Sequence, residues 1–203
     1  MKRLLTTLFV LPAFLFLNFA PAGNELSKEE KTAATQALLA SQKTLLSSIK
    51  GLTEEQLNFK PSEDAWSIAE CVEHITISEN NIFGIVEMTL KEEPNPDRRS
   101  EVKMTDDQIL NLIEDRTNKV KTRPEFEPSG KFGSYEETLE AFKSKRKSNI
   151  DFVNSTNEDL RNRYFEFPFG VVDSYQVVLF MAGHNNRHTK QIEEIKANEK
   201  FPK

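Results

Sequence analysis

The chain has 203 residues, and its 27 Lys and Arg against 32 Asp and Glu give a formal net charge of −5. This acidic balance, with no basic stripe along the chain, argues against a general nucleic-acid-binding protein. The single cysteine, Cys71, excludes an intrachain disulfide, so the fold must be stabilised by packing and, in one interpretation, by a metal.

Residues 1–22 have the three regions of a secretory signal peptide. Lys2 and Arg3 precede a largely apolar run over residues 4–17, and residues 20–22 (Ala-Pro-Ala) form a small-x-small cleavage pattern. Because the run is short for a bilayer span, we expect an exported, periplasmic or secreted protein with no stable membrane span after cleavage. The alternative is an uncleaved N-terminal anchor. Residues 23–203 are predicted to form a single domain.

Capping boxes mark the starts of the predicted helices, with Ser, Thr or Asp followed three residues later by Glu or Gln. In the first half of the chain, the Ser27 box opens a helix that runs to about Lys50 and is ended by Gly51. The Ser67 box opens a second helix that continues through Ile85. Residues 52–65 are predicted to be a connection, and residues 91–104 an exposed loop.

Three further boxes lie in the second half of the chain. They open a shorter third helix, a long fourth helix and the last helix, over residues 105–120, 134–153 and 173–198. Residues 123–133 and 154–172 are predicted to be irregular connections, and no strand pattern or internal repeat competes with the helices. These features predict an all-α fold with long helices of bundle type.

The chain contains three histidines, His74, His184 and His188. His184 and His188 are four residues apart and therefore project from one helix face. Both belong to the apolar stripe of the last helix, and His74 lies on the inward side of the second. If these helices face each other, three imidazoles can hold a divalent metal with open positions, as in catalytic sites. The alternative is that the histidines pack in the bundle or are solvated.

Acidic and polar residues near the histidines are candidates for supporting roles. Glu70 and Glu73 lie close to His74 and could supply a general base, but Glu70 is already explained as the last member of its capping box. Glu73 is predicted to face outward. On the last helix, the candidates for contacts to the ligands or a substrate are Asn185, Arg187 and Gln191, of which Gln191 lies clearly on the histidine stripe.

Apolar residues near the site have two interpretations each. Cys71 is predicted to be a small buried hydrophobe, with a thiol at a pocket wall as the alternative. Trp66 is predicted to anchor the connection onto the core, with a pocket role as the alternative. The phenylalanines in the connections are interpreted as caps over the bundle ends, although they could line a substrate mouth: Phe59, Phe126, Phe132, Phe165, Phe167 and Phe169.

Four segments together resemble the DinB superfamily, whose members are four-helix bundles also described as DinB-like or YfiT-like metal-dependent hydrolases. The matching segments are residues 52–57, 60–61, 66–74 and 183–192. The combination of WSxxExxxH with a distant HxxRHxxQI is specific, and the resemblance covers nearly all of residues 25–198. It implies an antiparallel four-helix bundle with long crossover connections and an extra short helix. It also implies a divalent metal held by His74, His184 and His188.

The resemblance also implies candidate functions. Nickel or zinc is the expected divalent metal ion, with manganese or iron as further options, and the expected activity is that of a hydrolase or transferase acting on an unknown small-molecule substrate. Thiol-dependent transferases of this family use cytosolic cofactors, which the signal peptide argues against. The alternative function is a non-catalytic metal- or ligand-binding bundle, and the family also suggests a homodimer.

Overall fold

The part of the chain that the computed structural model describes, residues 24–117 and 121–203, contains six α-helices and one β-hairpin. The helices are α1 (Lys28–Ser48), α2 (Glu54–Asn58), α3 (Ile68–Thr89), α4 (Asp106–Glu114), α5 (Tyr135–Ser155) and α6 (Ser174–Lys196). The strands are β1 (Tyr164–Phe167) and β2 (Gly170–Asp173), and two 3-10 helices cover Pro96–Glu101 and Pro124–Phe126. The expected signal peptide, residues 1–22, lies outside the described residues. None of the described helices has both the length and the apolar character that a bilayer crossing requires.

Four long helices, α1, α3, α5 and α6, form the bundle, and α6 packs against both α1 and α3. Helices α1 and α6 run parallel, because the hydroxyl of Tyr175 at the start of α6 donates to the carbonyl of Glu30 at the start of α1. Helix α3 runs antiparallel to α6, because the hydroxyls of Thr89 at its end and Ser174 at the start of α6 lie 2.7 Å apart.

Helix α5 closes the bundle by packing against α1 and α3. It runs antiparallel to α1, since Thr35 early in α1 donates to Asn154 at the end of α5. It must therefore run parallel to α3, which gives the order up, down, down, up. A chain that joins two parallel helices has to return along the bundle, and residues 90–134, which contain α4, make this crossover. The expected all-α four-helix bundle with long crossover connections and an extra short helix is confirmed. Two packed pairs, α1 with α6 and α3 with α5, run parallel, and the other two pairs run antiparallel.

The five predicted capping boxes are all present, and each places a side-chain oxygen on the amide of the third helical residue. A sixth box, formed by Thr53 and Gln56, opens the five-residue helix α2 inside the segment that was predicted to be a connection. A helix this short has too few residues to show an apolar stripe, which explains why its periodicity could not predict it.

The β-hairpin replaces part of the irregular connection predicted over residues 154–172, where no strand was expected. Strands β1 and β2 pair antiparallel, with Tyr164 opposite Asp173 at the base and Phe167 opposite Gly170 at the turn. Gly170 has φ +133°, a conformation that favours glycine. Each strand has four residues, which is too short for a clear alternating pattern.

Helix α4 ends at Glu114, before the predicted end, and Val120 lies outside the described residues. Leu112 is 43% exposed, whereas Ile109 and Ile113 are buried. Helix α4 packs closely on α6 at Gly183, where an added Cβ would lie 3.3 Å from the Cβ of Ile113. This contact holds the crossover segment beside the histidine stretch of α6.

Two apolar clusters fill the bundle, the first packed around the start of α6 and the second around its end. A buried ion pair lies in the bundle: Arg146 of α5, 0% exposed, donates through two nitrogens to Glu79 of α3, each at 2.7 Å. Arg146 also donates to Ser41 of α1 at 2.8 Å. On α6, His184 and His188 follow the residues of the first cluster and precede those of the second.

Candidate metal centre

The three histidines converge through their Nε2 atoms. His74 comes from α3, and His184 and His188 from successive turns of α6, which faces α3. The Nε2 of His74 lies 3.3 Å from that of His184 and 3.0 Å from that of His188. The predicted juxtaposition of all three side chains is therefore present in the structure.

The two separations from His74 match what ligands of one metal ion require. With metal–nitrogen bonds of the zinc type, two nitrogens bound at angles between octahedral and tetrahedral values lie about 2.9 to 3.4 Å apart. The two nitrogen–nitrogen distances from His74 fall within this range. The Nε2 of His74 therefore lies at ligand spacing from both other nitrogens, and all three ligand atoms lie within 4.8 Å of one another.

Hydrogen bonds at the outer ring nitrogens, the Nδ1 atoms, determine which nitrogen of His74 and of His188 is unprotonated. The Nδ1 of His74 lies 2.7 Å from the carbonyl oxygen of Phe126, which can only accept, so this Nδ1 carries the proton. The Nδ1 of His188 lies 2.9 Å from Oε1 of Gln191. Arg116 donates to the same Oε1 at 3.3 Å, which confirms that the amide oxygen, not its nitrogen, faces His188. Both neutral rings therefore direct an unprotonated Nε2 inward.

Burial keeps the imidazoles neutral. Loss of solvation lowers the pKa of His74, although its bond to the Phe126 carbonyl opposes this effect. Loss of solvation lowers the pKa of His184 and of His188 well below the ordinary value, and the neighbouring histidines add to the effect. Two Nε2 lone pairs then face each other at 3.0 Å with no proton between them. A cation placed among them relieves this repulsion, so the donor set fits a divalent metal.

The three proposed ligands differ in how far they are exposed to solvent. His74 and His188 are buried, whereas His184 is half-buried and is the most accessible of the three. The ring of Trp66 lies 4.7 Å from that of His74 and 6.2 Å from that of His188. Trp66 also packs against the second apolar cluster, so it both anchors the connection, as predicted, and forms a wall of the site.

The prediction that Glu73 faces outward is wrong. Glu73 is 8% exposed, and its Oε1 accepts hydrogen bonds from the amides of Ser129 at 3.1 Å and Lys131 at 2.8 Å. The crossover segment covers this side of α3, which could not be read from helix periodicity. Glu73 and His74 thus hold neighbouring parts of one segment against the site.

The remaining candidates have supporting or structural positions. Glu70 accepts from the amide of Ser67 in its capping box and from Lys60, both at 2.7 Å, in agreement with its predicted capping role. Asn185 is buried and accepts from Thr189 at 3.2 Å, so it faces the bundle interior. Arg187 donates to the main-chain carbonyl of Asp115 beyond α4.

Cys71 is a buried side chain with no exposed surface. Loss of solvation raises the pKa of its thiol to about 12, so the thiolate that a metal or an electrophile would require is strongly disfavoured. The thiol packs in the second apolar cluster. The structure thus agrees with its interpretation as a small hydrophobe and does not support a reactive thiol at the pocket wall.

Aromatic rings continue the site toward the hairpin. The ring of Phe180, one turn before His184 on α6, stacks on the imidazole of His184 with a centroid distance of 6.0 Å. Phe167 and Phe169 of the hairpin stack on Phe180 in turn. The main-chain carbonyl of Phe126, in the crossover segment, positions His74. The phenylalanines of the connections therefore also contact His74 and the aromatic neighbour of His184, in addition to covering the bundle ends.

Comparison with known proteins agrees with this fold and site. A family model of the DinB superfamily matches residues 37–192. The uncharacterized protein YuaE of Bacillus subtilis (strain 168) is 28% identical over 149 residues, which are 73% of this chain and 88% of YuaE. The structure of YfiT from Bacillus subtilis, described as a probable metal-dependent hydrolase with an unusual four-helix bundle topology, superposes with a TM-score of 0.58. The superposition covers 88% of this chain and 93% of YfiT, and the sequence identity is 16%.

Proposed function

The chain belongs to the DinB superfamily, and we propose that it is a divalent-metal-dependent hydrolase acting on a small molecule, with His74, His184 and His188 as the metal ligands. The observation that carries this proposal is the convergence of three Nε2 atoms, two of which, on His74 and His188, have inward lone pairs fixed by the hydrogen bonds of their Nδ1 atoms. The description of YfiT as a probable metal-dependent hydrolase gives it further support.

The protein's own groups define what the site can do. When bound, a divalent ion with three imidazole ligands supplies a Lewis acid that polarises a carbonyl or phosphoryl oxygen. The three neutral rings leave the ion its full charge, because no carboxylate or thiolate is among the ligands. Phe126 and Gln191 hold the protons on the outer nitrogens of His74 and His188, and the ring of Trp66 packs beside that of His74.

One observation favours a second candidate, a non-catalytic metal-binding bundle. Both acids next to His74 on α3 already accept hydrogen bonds. Glu70 accepts from the amide of Ser67 and from Lys60, and Glu73 accepts from two amides of the crossover segment. Neither is free to move a proton for a substrate without breaking these bonds. The two candidates share the metal site and differ in whether turnover accompanies metal binding.

Metal analysis combined with a turnover screen tests both candidates. The wild-type protein should hold about one divalent ion per chain after incubation with nickel, zinc, manganese or iron, whereas His184→Ala should lose it. Lys147→Ala, on the exposed face of α5, is the matched control and should retain the metal. Hydrolysis of esters or amides that rises in proportion to bound metal supports the hydrolase. Stoichiometric metal without turnover supports the second candidate, and absence of metal contradicts both.

We also propose that the protein is exported after removal of residues 1–22, on the strength of the basic, apolar and small-residue regions of this segment. Expression of the full chain in a host with a periplasm, followed by fractionation and intact mass measurement, tests the proposal. A periplasmic protein whose mass corresponds to residues 23–203 supports it. A full-length mass in the cytosolic or membrane fraction contradicts it.

A further inference from the structure

Three phenylalanines form a set of nearly parallel rings that begins at the proposed metal site. Phe167 lies 5.1 Å from Phe180 and 5.0 Å from Phe169, with interplanar angles of 10° and 9°. Phe169 lies 6.3 Å from Phe180. Phe180 in turn stacks on His184 at an angle of 16°. We refer to Phe167, Phe169 and Phe180 as the aromatic wall.

The hairpin delivers two members of this wall to the site. Its base, at Asp173, adjoins the first residue of α6, and its turn, residues 168–169, directly follows Phe167. A four-residue strand spans about 13 Å, and the six residues from Ser174 to Phe180 rise about 9 Å along α6. The hairpin and the first turns of α6 thus run side by side. The turn consequently lies beside Phe180, one helical turn before His184.

The exposure of Phe169 is not explained by core packing. Phe165, Phe167 and Phe180 pack against the first apolar cluster and so contribute to the bundle core. Phe169, at the hairpin turn, is 36% exposed. Because Phe169 stacks on Phe180, which stacks on His184, its exposed ring extends the apolar surface that begins at the site, and a flat ligand group can stack on it.

Because this inference rests on the proposed metal site, it concerns the substrate of that site. We propose that the aromatic wall binds a planar apolar group of the substrate, such as an aromatic ring, while the reacting group lies at the three histidines. Parallel rings offer a stacked arrangement for a further ring, which an aliphatic group uses less well. The carboxylate of Glu166 is on the opposite face of β1 from Phe165 and Phe167 because side chains alternate along a strand, so the wall itself carries no charge.

Two small metal-binding probes test the proposal without any catalysed reaction. Benzohydroxamate and acetohydroxamate present the same chelating group and differ in the phenyl or methyl substituent. Their affinities for the zinc-loaded full-length protein are measured by calorimetry, alongside the zinc content of each variant. Phe169→Ala removes the exposed ring, and Phe169→Leu keeps an apolar side chain that is not planar. Phe201→Ala is the matched control, because Phe201 is a half-buried ring paired with Phe59 in the second cluster.

The expected result is a preference of the wild-type protein for benzohydroxamate. Phe169→Ala should lower the affinity for benzohydroxamate by about tenfold and leave that for acetohydroxamate within about twofold. Phe169→Leu should give an intermediate loss, and Phe201→Ala none. Zinc-loaded protein that binds both probes equally, or a Phe169→Ala variant that weakens both alike, overturns the aromatic subsite and leaves the metal site intact. Protein without zinc overturns the metal site, and with it the subsite.

Discussion

The Nδ1 of His188 donates a hydrogen bond of 2.9 Å to Oε1 of Gln191, three residues later on the same helix. Arg116, which follows α4, donates to the same oxygen and also forms two bonds of 2.8 Å with Glu194. The amide of Gln191 is thereby prevented from turning its nitrogen toward His188. A residue of the long crossover thus fixes the proton position on a proposed ligand of α6.

Replacing Gln191 by leucine should weaken metal binding. The variant removes the acceptor that holds the proton on Nδ1 of His188, so the ring can turn or take the other tautomer. Loss of such an outer hydrogen bond typically lowers metal affinity by about 10- to 100-fold. Competition with a chromophoric chelator measures the change. Gln191→Glu, which retains the acceptor and the contact with Arg116, should bind at least as tightly as the wild type, and equal affinities in all three proteins would contradict this role.

The stability of the metal-free protein should fall as the pH falls from about 7.5 to 5.5. Burial lowers the pKa of all three histidines in the folded state, most strongly for His184 and His188. The unfolded chain, with ordinary values near 6.5, therefore binds more protons in this range, and protonation favours unfolding. The contribution of these residues is present above about pH 6.5 and is lost as the pH falls toward the folded-state values.

Urea denaturation of the chelator-treated protein across this pH range measures the effect. The chain has only these three histidines, so the histidine contribution to the change comes from them alone. Bound metal should weaken in the same direction, because protons compete for the same nitrogens. A free energy of unfolding that stays constant or rises between pH 7.5 and 5.5 would show that the imidazoles are not held neutral.

Glu79→Gln should destabilise the bundle by about 3 to 5 kcal/mol, because it leaves the buried guanidinium of Arg146 without its counter-charge. Both partners are essentially inaccessible, with side-chain exposures of 2% and 0%. The double variant Glu79→Leu with Arg146→Met removes both charges and should recover most of the loss. Chemical denaturation measures all three proteins. The exposed pair of Lys147 and Asp151 supplies the control, since Lys147→Ala should leave stability nearly unchanged.

The sequence was sufficient to predict those parts of the fold that depend on local patterns. Capping boxes predicted the starts of the long helices, and the four-residue spacing of His184 and His188 placed both rings on one face. The apolar stripe of the second helix also predicted that His74 lies on the inward side of that helix. These features involve neighbours along one helix and require no knowledge of how distant segments meet.

The remaining features depend on where the crossover and the hairpin fold back. Glu73 is buried because residues 124–133 cover α3, and the carbonyl that holds His74 belongs to that same segment. Every residue type has a main-chain carbonyl, so the sequence does not indicate which carbonyl accepts a hydrogen bond. Phe126 could therefore be identified as an aromatic residue of a connection, but its contact with His74 could not be predicted. The hairpin was missed because four-residue strands rich in phenylalanine look like an apolar connection.

Trp66 provides a direct report on the proposed site, because it is the only tryptophan in the chain and its ring lies 4.7 Å from that of His74. Open-shell cobalt or nickel ions bound by the histidines should quench its emission strongly, whereas zinc, with a filled d shell, should change it much less. Titration of the metal-free protein with each ion, with excitation selective for tryptophan, measures the difference. His184→Ala should abolish the quenching by cobalt at stoichiometric concentrations. If zinc and cobalt instead changed the emission equally, or if quenching persisted in His184→Ala, the metal would not lie beside Trp66, and the assignment of the three ligands would fail.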